Sequence, residues 1–265
     1  TGIDGLRKQN LDGTPLYFIR NSNSTNFEGW LPMSSEVNGI VVYDPMTGMS
    51  GKGRTRNRDR GTEVFVQMGP SQTLVLSGDV DGIEASFPYI EKAGEAVALE
   101  GKWKVTFDSG GPVLPPSFER DSLILWTDLR EAAYEDFSGT ATYSLSFDRP
   151  DVEARSVLLE LDSVKGTAQI LLNGQSMVTL LGPVYKTVID ADNFKVENLL
   201  EIRVSNLMAN RIAYMDRNNI FWKKFYNINF PARRRENSKN NIFDASHWKP
   251  KPSGVKGKVR LYPLK

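Results

Sequence analysis

Residues 137–147 read FSGTATYSLSF, and the alternation within them decides the fold. Ala141, Tyr143, Leu145 and Phe147 interleave with Thr142, Ser144 and Ser146. Successive side chains of an extended chain point to opposite faces, so this is a β-strand with one apolar and one wet face. The same reading extends outward. Residues 156–162 (SVLLELD) and 168–172 (AQILL) are strand-like runs, and Asn173-Gly174 follows the second of them. Asn-Gly supplies the two positive φ angles of a type I′ hairpin turn. Residues 200–205 (LEIRVS) alternate again before Asn206 to Arg211. These are half-buried strands of an antiparallel sandwich.

As a set, FSGTATYSLSF, LELDSVKGTAQILLNGQ, LLGPVYKTVID, NLLEIRVSNLMANR and the late PSGVKGKVRLYPL resemble the galactose-binding-like jelly roll of glycoside hydrolases. In particular they are similar to the C-terminal region of bacterial alpha-L-rhamnosidase-type enzymes. Family-2 glycosidases carry a similar sugar-binding domain. The resemblance covers residues 99–265. Upstream, YFIRN, VVYDPMTG and VFVQMGPSQTLVLSG look like the β-sandwich segment that follows the catalytic barrel in the same enzymes. It implies an all-β chain of two β-sandwich domains, residues 1–98 and the jelly roll at 99–265. It further implies a secreted or periplasmic protein, a catalytic domain upstream as partner, and a plant-type polysaccharide, acidic in one reading, as ligand.

Composition bounds these expectations. Of 265 residues 40% are hydrophobic, enough to bury a core, and no run approaches the ~18 apolar residues of a membrane span. Thirty-three Lys and Arg balance 32 Asp and Glu, so no global basic field favours nucleic acid. There is no cysteine, hence no disulfide, thiol nucleophile or Cys-based zinc site. His247 is the single histidine, which excludes a multi-His metal site within one chain. The chain begins with Thr1 and shows no signal peptide, as expected of a fragment or processed product.

Strands are expected at residues 16–19, 39–43, 63–68 and 72–76, the last two as a hairpin across Gly69-Pro70. Residues 52–60 (KGRTRNRDR) carry five positive charges against one. They contain none of the aromatics that base stacking needs, so a solvated hairpin loop is expected. Further along, Trp103, Val105 and Phe107 alternate inward, and residues 110–116 (GGPVLPP) exclude regular structure. Residues 122–126 read as a short strand, and 128–134 as a helical turn with Asp128 as its cap.

From Lys223 onward twelve basic residues oppose two acidic ones, Glu236 and Asp244, a local balance of +10. Phe221, Trp222, Phe225, Tyr226, Phe230, Phe243 and Trp248 are mixed in. One reading is a long loop packed by its rings with the charges snorkelling to water. The other is a surface for an acidic glycan, with Trp222, Tyr226 and Trp248 as stacking platforms. The resemblance adds Asn210, Arg211 and Tyr185 to the candidates. Arg211 either forks onto a sugar or braces the domain internally.

No Walker loop, dinucleotide fingerprint or nucleophile elbow is present. With 32 acidic residues some carboxylate pair is inevitable, and in the resembled enzymes the catalytic pair belongs to the barrel. A non-catalytic accessory region is therefore expected, with a sandwich module that binds no sugar as the alternative. No cofactor or metal is expected. Structural calcium, common in the resembled domains, has only Asp108, Asp148, Asp151 and Asp162 as candidates, without a spaced Asp-x-Asp-x-Asp loop.

Overall fold

A computed structural model describes residues 2–33, 37, 39–58, 61–78, 81–92, 94–150, 154–223, 234–240 and 242–265. Strand accounts for 51% and helix for 10%, which makes this an all-β chain of sandwich domains. It divides into two compact units, Thr1–Ala93 with Leu264–Lys265, and Gly94–Pro263.

The first unit carries β1 (Ile3–Gln9), β2 (Pro15–Asn21), β3 (Phe27–Pro32), β4 (Val41–Tyr43), β5 (Ser50–Lys52), β6 (Thr55–Arg58), β7 (Gly61–Met68) and β8 (Thr73–Ser77). One sheet runs β1-β2-β8-β4-β5 and the other β3-β7-β6. Val64, Val66 and Met68 of one and Val42, Leu74 and Leu76 of the other close a common core. The expected hairpin between β7 and β8 does not form, because the two strands belong to different sheets. Asn21 decides this. Fully buried, it donates to the carbonyls of Met68 and Gly69, while its own N–H bonds to Gln72 O. Residues 69–72 are thus a corner pinned to β2. In the arginine-rich stretch, Arg56 pairs with Glu63 at 2.6 Å and lies over the Trp30 ring at 4.2 Å. Asp59 and Arg60 lie outside the described residues.

The second unit continues with β9 (Val97–Ala98), β10 (Trp103–Gly111), β11 (Phe118–Arg120), β12 (Leu123–Leu125), α1 (Ala132–Glu135), β13 (Ser138–Asp148), β14 (Ser156–Lys165), β15 (Thr167–Leu172), β16 (Gln175–Leu180), β17 (Lys186–Asp190), β18 (Glu197–Ser205), α2 (Ala209–Arg217), β19 (Ser238–Lys239), β20 (Ile242–Phe243) and β21 (Gly254–Pro263). A six-stranded antiparallel sheet, β11-β10-β13-β18-β15-β16, is packed against β12-β21-β14-β17, to which β9 adds. Phe107, Tyr143, Ile170 and Ile202 meet Leu159, Ile189, Val259 and Leu261 in one core. Each such side chain contributes about 1.5–3 kcal/mol when fully buried.

Local chemistry sets the connections. Asn173 (φ 55°) and Gly174 (φ 80°) both take left-handed angles and turn β15 into β16. Asp128 is not a cap. It lies inside the 3₁₀ turn Trp126–Leu129, and its carboxylate accepts from Lys256 Nζ at 3.0 Å. The strand β10 also runs further than its glycines suggest, to Gly111, since Gly110 and Gly111 pair with Gly139 and Ser138. No helix among the described residues is long and apolar enough to cross a membrane.

Candidate functional site

With Val105, Phe107, Ala141, Tyr143, Ile202, Val204, Ala168 and Ile170 pointing into the core, the intervening residues must stand on the outer face of the six-stranded sheet. Register aligns them. Thr106 is paired with Thr142, Thr142 with Arg203, Arg203 with Gln169 and Gln169 with Thr179, so one polar row crosses five strands. Beside it, Ser109 pairs with Thr140, Thr140 with Ser205 and Ser205 with Thr167. The two rows, with Asp108 and Glu201, line a groove of about 670 Å³.

Asp108 enters this face through a bulge. The β10–β13 register shifts between Phe107 and Ser109, so Asp108 and Ser109 both line the groove. Thr142 Oγ1 donates to Asp108 Oδ2 at 2.6 Å and Thr106 Oγ1 to Oδ1 at 3.4 Å. Arg203 and Glu201 sit two residues apart on one strand and pair at 3.6 Å. Thr140 and Ser205 share a hydrogen bond of 2.7 Å, and Gln169 Nε2 donates to Ser176 Oγ at 3.1 Å. Among the described residues, the hydroxyls of Ser109, Thr167 and Thr179 have no partner. The groove is therefore a field of hydroxyls with one amide, two carboxylates and one guanidinium, suited to hydrogen-bonding a polyhydroxylated ligand.

The residues expected from sequence lie outside this groove, and the side chains of Asn210 and Tyr185 are engaged internally. Asn210, buried on α2, donates to Lys251 O at 3.1 Å and accepts from Lys251 N–H at 2.7 Å. The Arg211 backbone N–H bonds Ser138 Oγ at 3.0 Å. Its guanidinium lies against Gly111, where a Cβ would stand 2.8 Å from Cζ. Tyr185 OH donates to Gly166 O at 2.6 Å, and burial pushes its pKa up.

In the tail, Asp216 is the hub. It accepts from Trp222 Nε1 at 2.7 Å and from Ala245 N–H at 2.8 Å, and it pairs with Lys223 at 2.8 Å. Phe243 bridges Trp222 and Trp248 edge-to-face, with centroids 6.0 and 5.6 Å apart, and Trp248 Nε1 bonds Asn237 Oδ1 at 2.9 Å. Burial pushes the Asp244 carboxyl up. Hydrogen bonds from the Ser246 backbone and hydroxyl, with Lys223 and Lys239 near by, outweigh it and hold the pKa below its usual value. A pocket of about 350 Å³ borders Trp222, Phe221, Lys223 and Lys239. Tyr226, Phe225 and Phe230 lie outside the described residues.

The sequence offers Asp108, Asp148, Asp151 and Asp162 as calcium candidates. Asp108 is held by threonines, Asp162 takes Arg260 and the Lys258 N–H, and Asp151 lies outside the described residues. No group of three His, Cys, Asp or Glu that could hold a metal ion occurs among the described residues.

No protein-family model matches the chain. A curated relative, a presumed beta-glucuronidase of Formosa agariphila, is 30% identical over 126 residues, covering 46% of this chain and 11% of that protein. Among solved structures, a rhamnosidase from Novosphingobium sp. PP1Y shares the fold over 98% of this chain and 24% of its own, with a TM-score of 0.71 and 24% identity. The chain therefore spans about a quarter of the rhamnosidase and about a tenth of the curated relative.

Proposed function

We propose that this chain is a non-catalytic accessory β-region of a secreted or periplasmic glycoside hydrolase, and that it binds carbohydrate. The groove on the outer face of the six-stranded sheet carries this reading, because all eleven of its lining side chains are polar. Two glycosidase-named relatives support the association: the fold is shared with part of a rhamnosidase, and a beta-glucuronidase-named protein matches nearly half of the chain. The partner implied is a catalytic domain of the same polypeptide.

Affinity electrophoresis of the intact chain in native gels containing neutral and acidic plant polysaccharides is the test. Retardation by at least one glycan, competed by soluble oligosaccharide, is expected. Unchanged mobility in every glycan would refute carbohydrate binding. The tail supports a second reading, as a packing surface for a catalytic domain, because Phe221 is 78% exposed beside an aromatic cluster whose indole N–H groups are already bonded.

A further inference from the structure

We infer that the groove takes an uncharged glycan chain laid across the strands, along the two polar rows. This rests on the carbohydrate-binding reading above and adds direction and charge class to it.

Direction follows from register. Neighbouring strands lie about 4.8 Å apart, so a row with one residue on each of five strands extends about 19 Å. Along a strand the lining is at most three residues deep, as with Glu201, Arg203 and Ser205 on β18, a span of about 14 Å. Same-face neighbours on a strand are about 7 Å apart. The polar track is thus longer across the strands than along them, and an elongated ligand gains the most hydrogen bonds by following it. The rows offer hydroxyl donors and acceptors at the strand interval, and several of these hydroxyls have no partner among the described residues. No aromatic ring lines the groove. Recognition therefore rests on hydrogen bonds to ligand hydroxyls and not on stacking of pyranose faces.

Charge class follows from the ionic groups. Asp108 and Glu201 contribute two carboxylates, and Arg203, the one lining cation, is paired with Glu201. A uronate chain would meet a net negative groove whose cation is already committed. A neutral chain meets carboxylates that accept from its hydroxyls, as Asp108 does from Thr142. The groove thus differs in sign from the basic tail, where one reading of the sequence expects an acidic glycan.

The experiment uses polygalacturonate and its fully methyl-esterified form, which share a backbone and differ in charge, together with neutral galactan and xyloglucan. Affinity electrophoresis and titration calorimetry read binding by the intact chain and four variants. Ser205→Arg fills the centre of the track from an exposed position and is expected to weaken binding at least tenfold. Gln169→Ala, which removes one amide from an exposed strand face, is expected to weaken it several-fold. Asp108→Asn is expected to narrow the preference for the neutral form, and Lys249→Ala, on the tail, to leave binding unchanged. Circular dichroism confirms that each variant is folded, and Gln169→Ala keeps the test decisive if Ser205→Arg is not. Stronger binding to polygalacturonate than to its ester overturns the inference. So does undiminished binding by both Ser205→Arg and Gln169→Ala. Either result leaves carbohydrate binding itself standing, whereas binding to none of the glycans removes both readings.

Discussion

Replacing Asn210 by Ala separates a structural residue from a ligand contact. Asn210 lies 3% exposed near the start of α2 and exchanges two hydrogen bonds with the backbone of Lys251, at 2.7 and 3.1 Å. Through them the loop before β21 is tied to the helix. Alanine removes both, and each intramolecular bond contributes about 0.5–1.5 kcal/mol net, so the loss is about 2 kcal/mol. Alanine is also a better helix former than asparagine, which offsets about 0.5 kcal/mol. The hydrogen-bond loss wins, leaving a net destabilisation of about 1.5 kcal/mol. In a domain of this size that lowers Tm by about 3–6 °C. Asn210→Asp keeps the acceptor for the Lys251 N–H but turns a buried carboxylate oxygen toward the Lys251 carbonyl, and its effect should be at least as large. Differential scanning calorimetry reads the shift, and affinity electrophoresis reads glycan binding in the same preparation. Unchanged melting with lost glycan retardation would refute this account and return Asn210 to the ligand contacts expected from sequence.

Two further outcomes are expected. Gly139→Ala should cost about 3 kcal/mol or more, because the added Cβ would stand 2.0 Å from Ser109 O and 2.6 Å from the Gly110 Cα, both backbone atoms that cannot rotate away. Gly174→Ala has open space and strains only its φ of +80°, so about 1 kcal/mol is expected; equal losses in urea titrations of the two variants would contradict the packing argument. Acid should destabilise the second unit. Burial pushes the Asp162 carboxyl up, but Arg260 and the Lys258 N–H outweigh it and hold the pKa below its usual value, and Asp244 is lowered likewise. Their stabilising contribution is complete above the unfolded carboxyl value of about 4 and is lost as pH falls through the lower folded values. Tm should therefore fall below about pH 4, and less steeply in Asp162→Asn; identical slopes would exclude Asp162 as a source.

What was legible in this sequence is what is local. The alternation of Ala141, Tyr143 and Leu145 names a buried face wherever the strand sits, and Asn173-Gly174 names its turn without help from distant residues. Features set by distant partners were not legible. Gly69-Pro70 has the composition of a hairpin turn, and only the buried Asn21, far away on β2, makes it a corner between sheets. β1 is exposed along nearly its whole length, so no alternation marks it. α2 begins after Met208 with no side-chain cap, and so lacks the usual signal of a helix start. The same distinction separates the two candidate surfaces. The tail stood out because its charges and rings are neighbours in sequence, yet its tryptophans spend their indole N–H groups on Asp216 and Asn237. The groove draws its eleven residues from five strands, one to three from each, and any window along the chain sees only scattered polar residues. Those outward residues were visible as wet strand faces. Their meaning depends on the order β10-β13-β18-β15-β16, which non-consecutive pairing sets. A ligand site of this kind is encoded indirectly: the apolar faces fix the register, and the register lines up the hydroxyls.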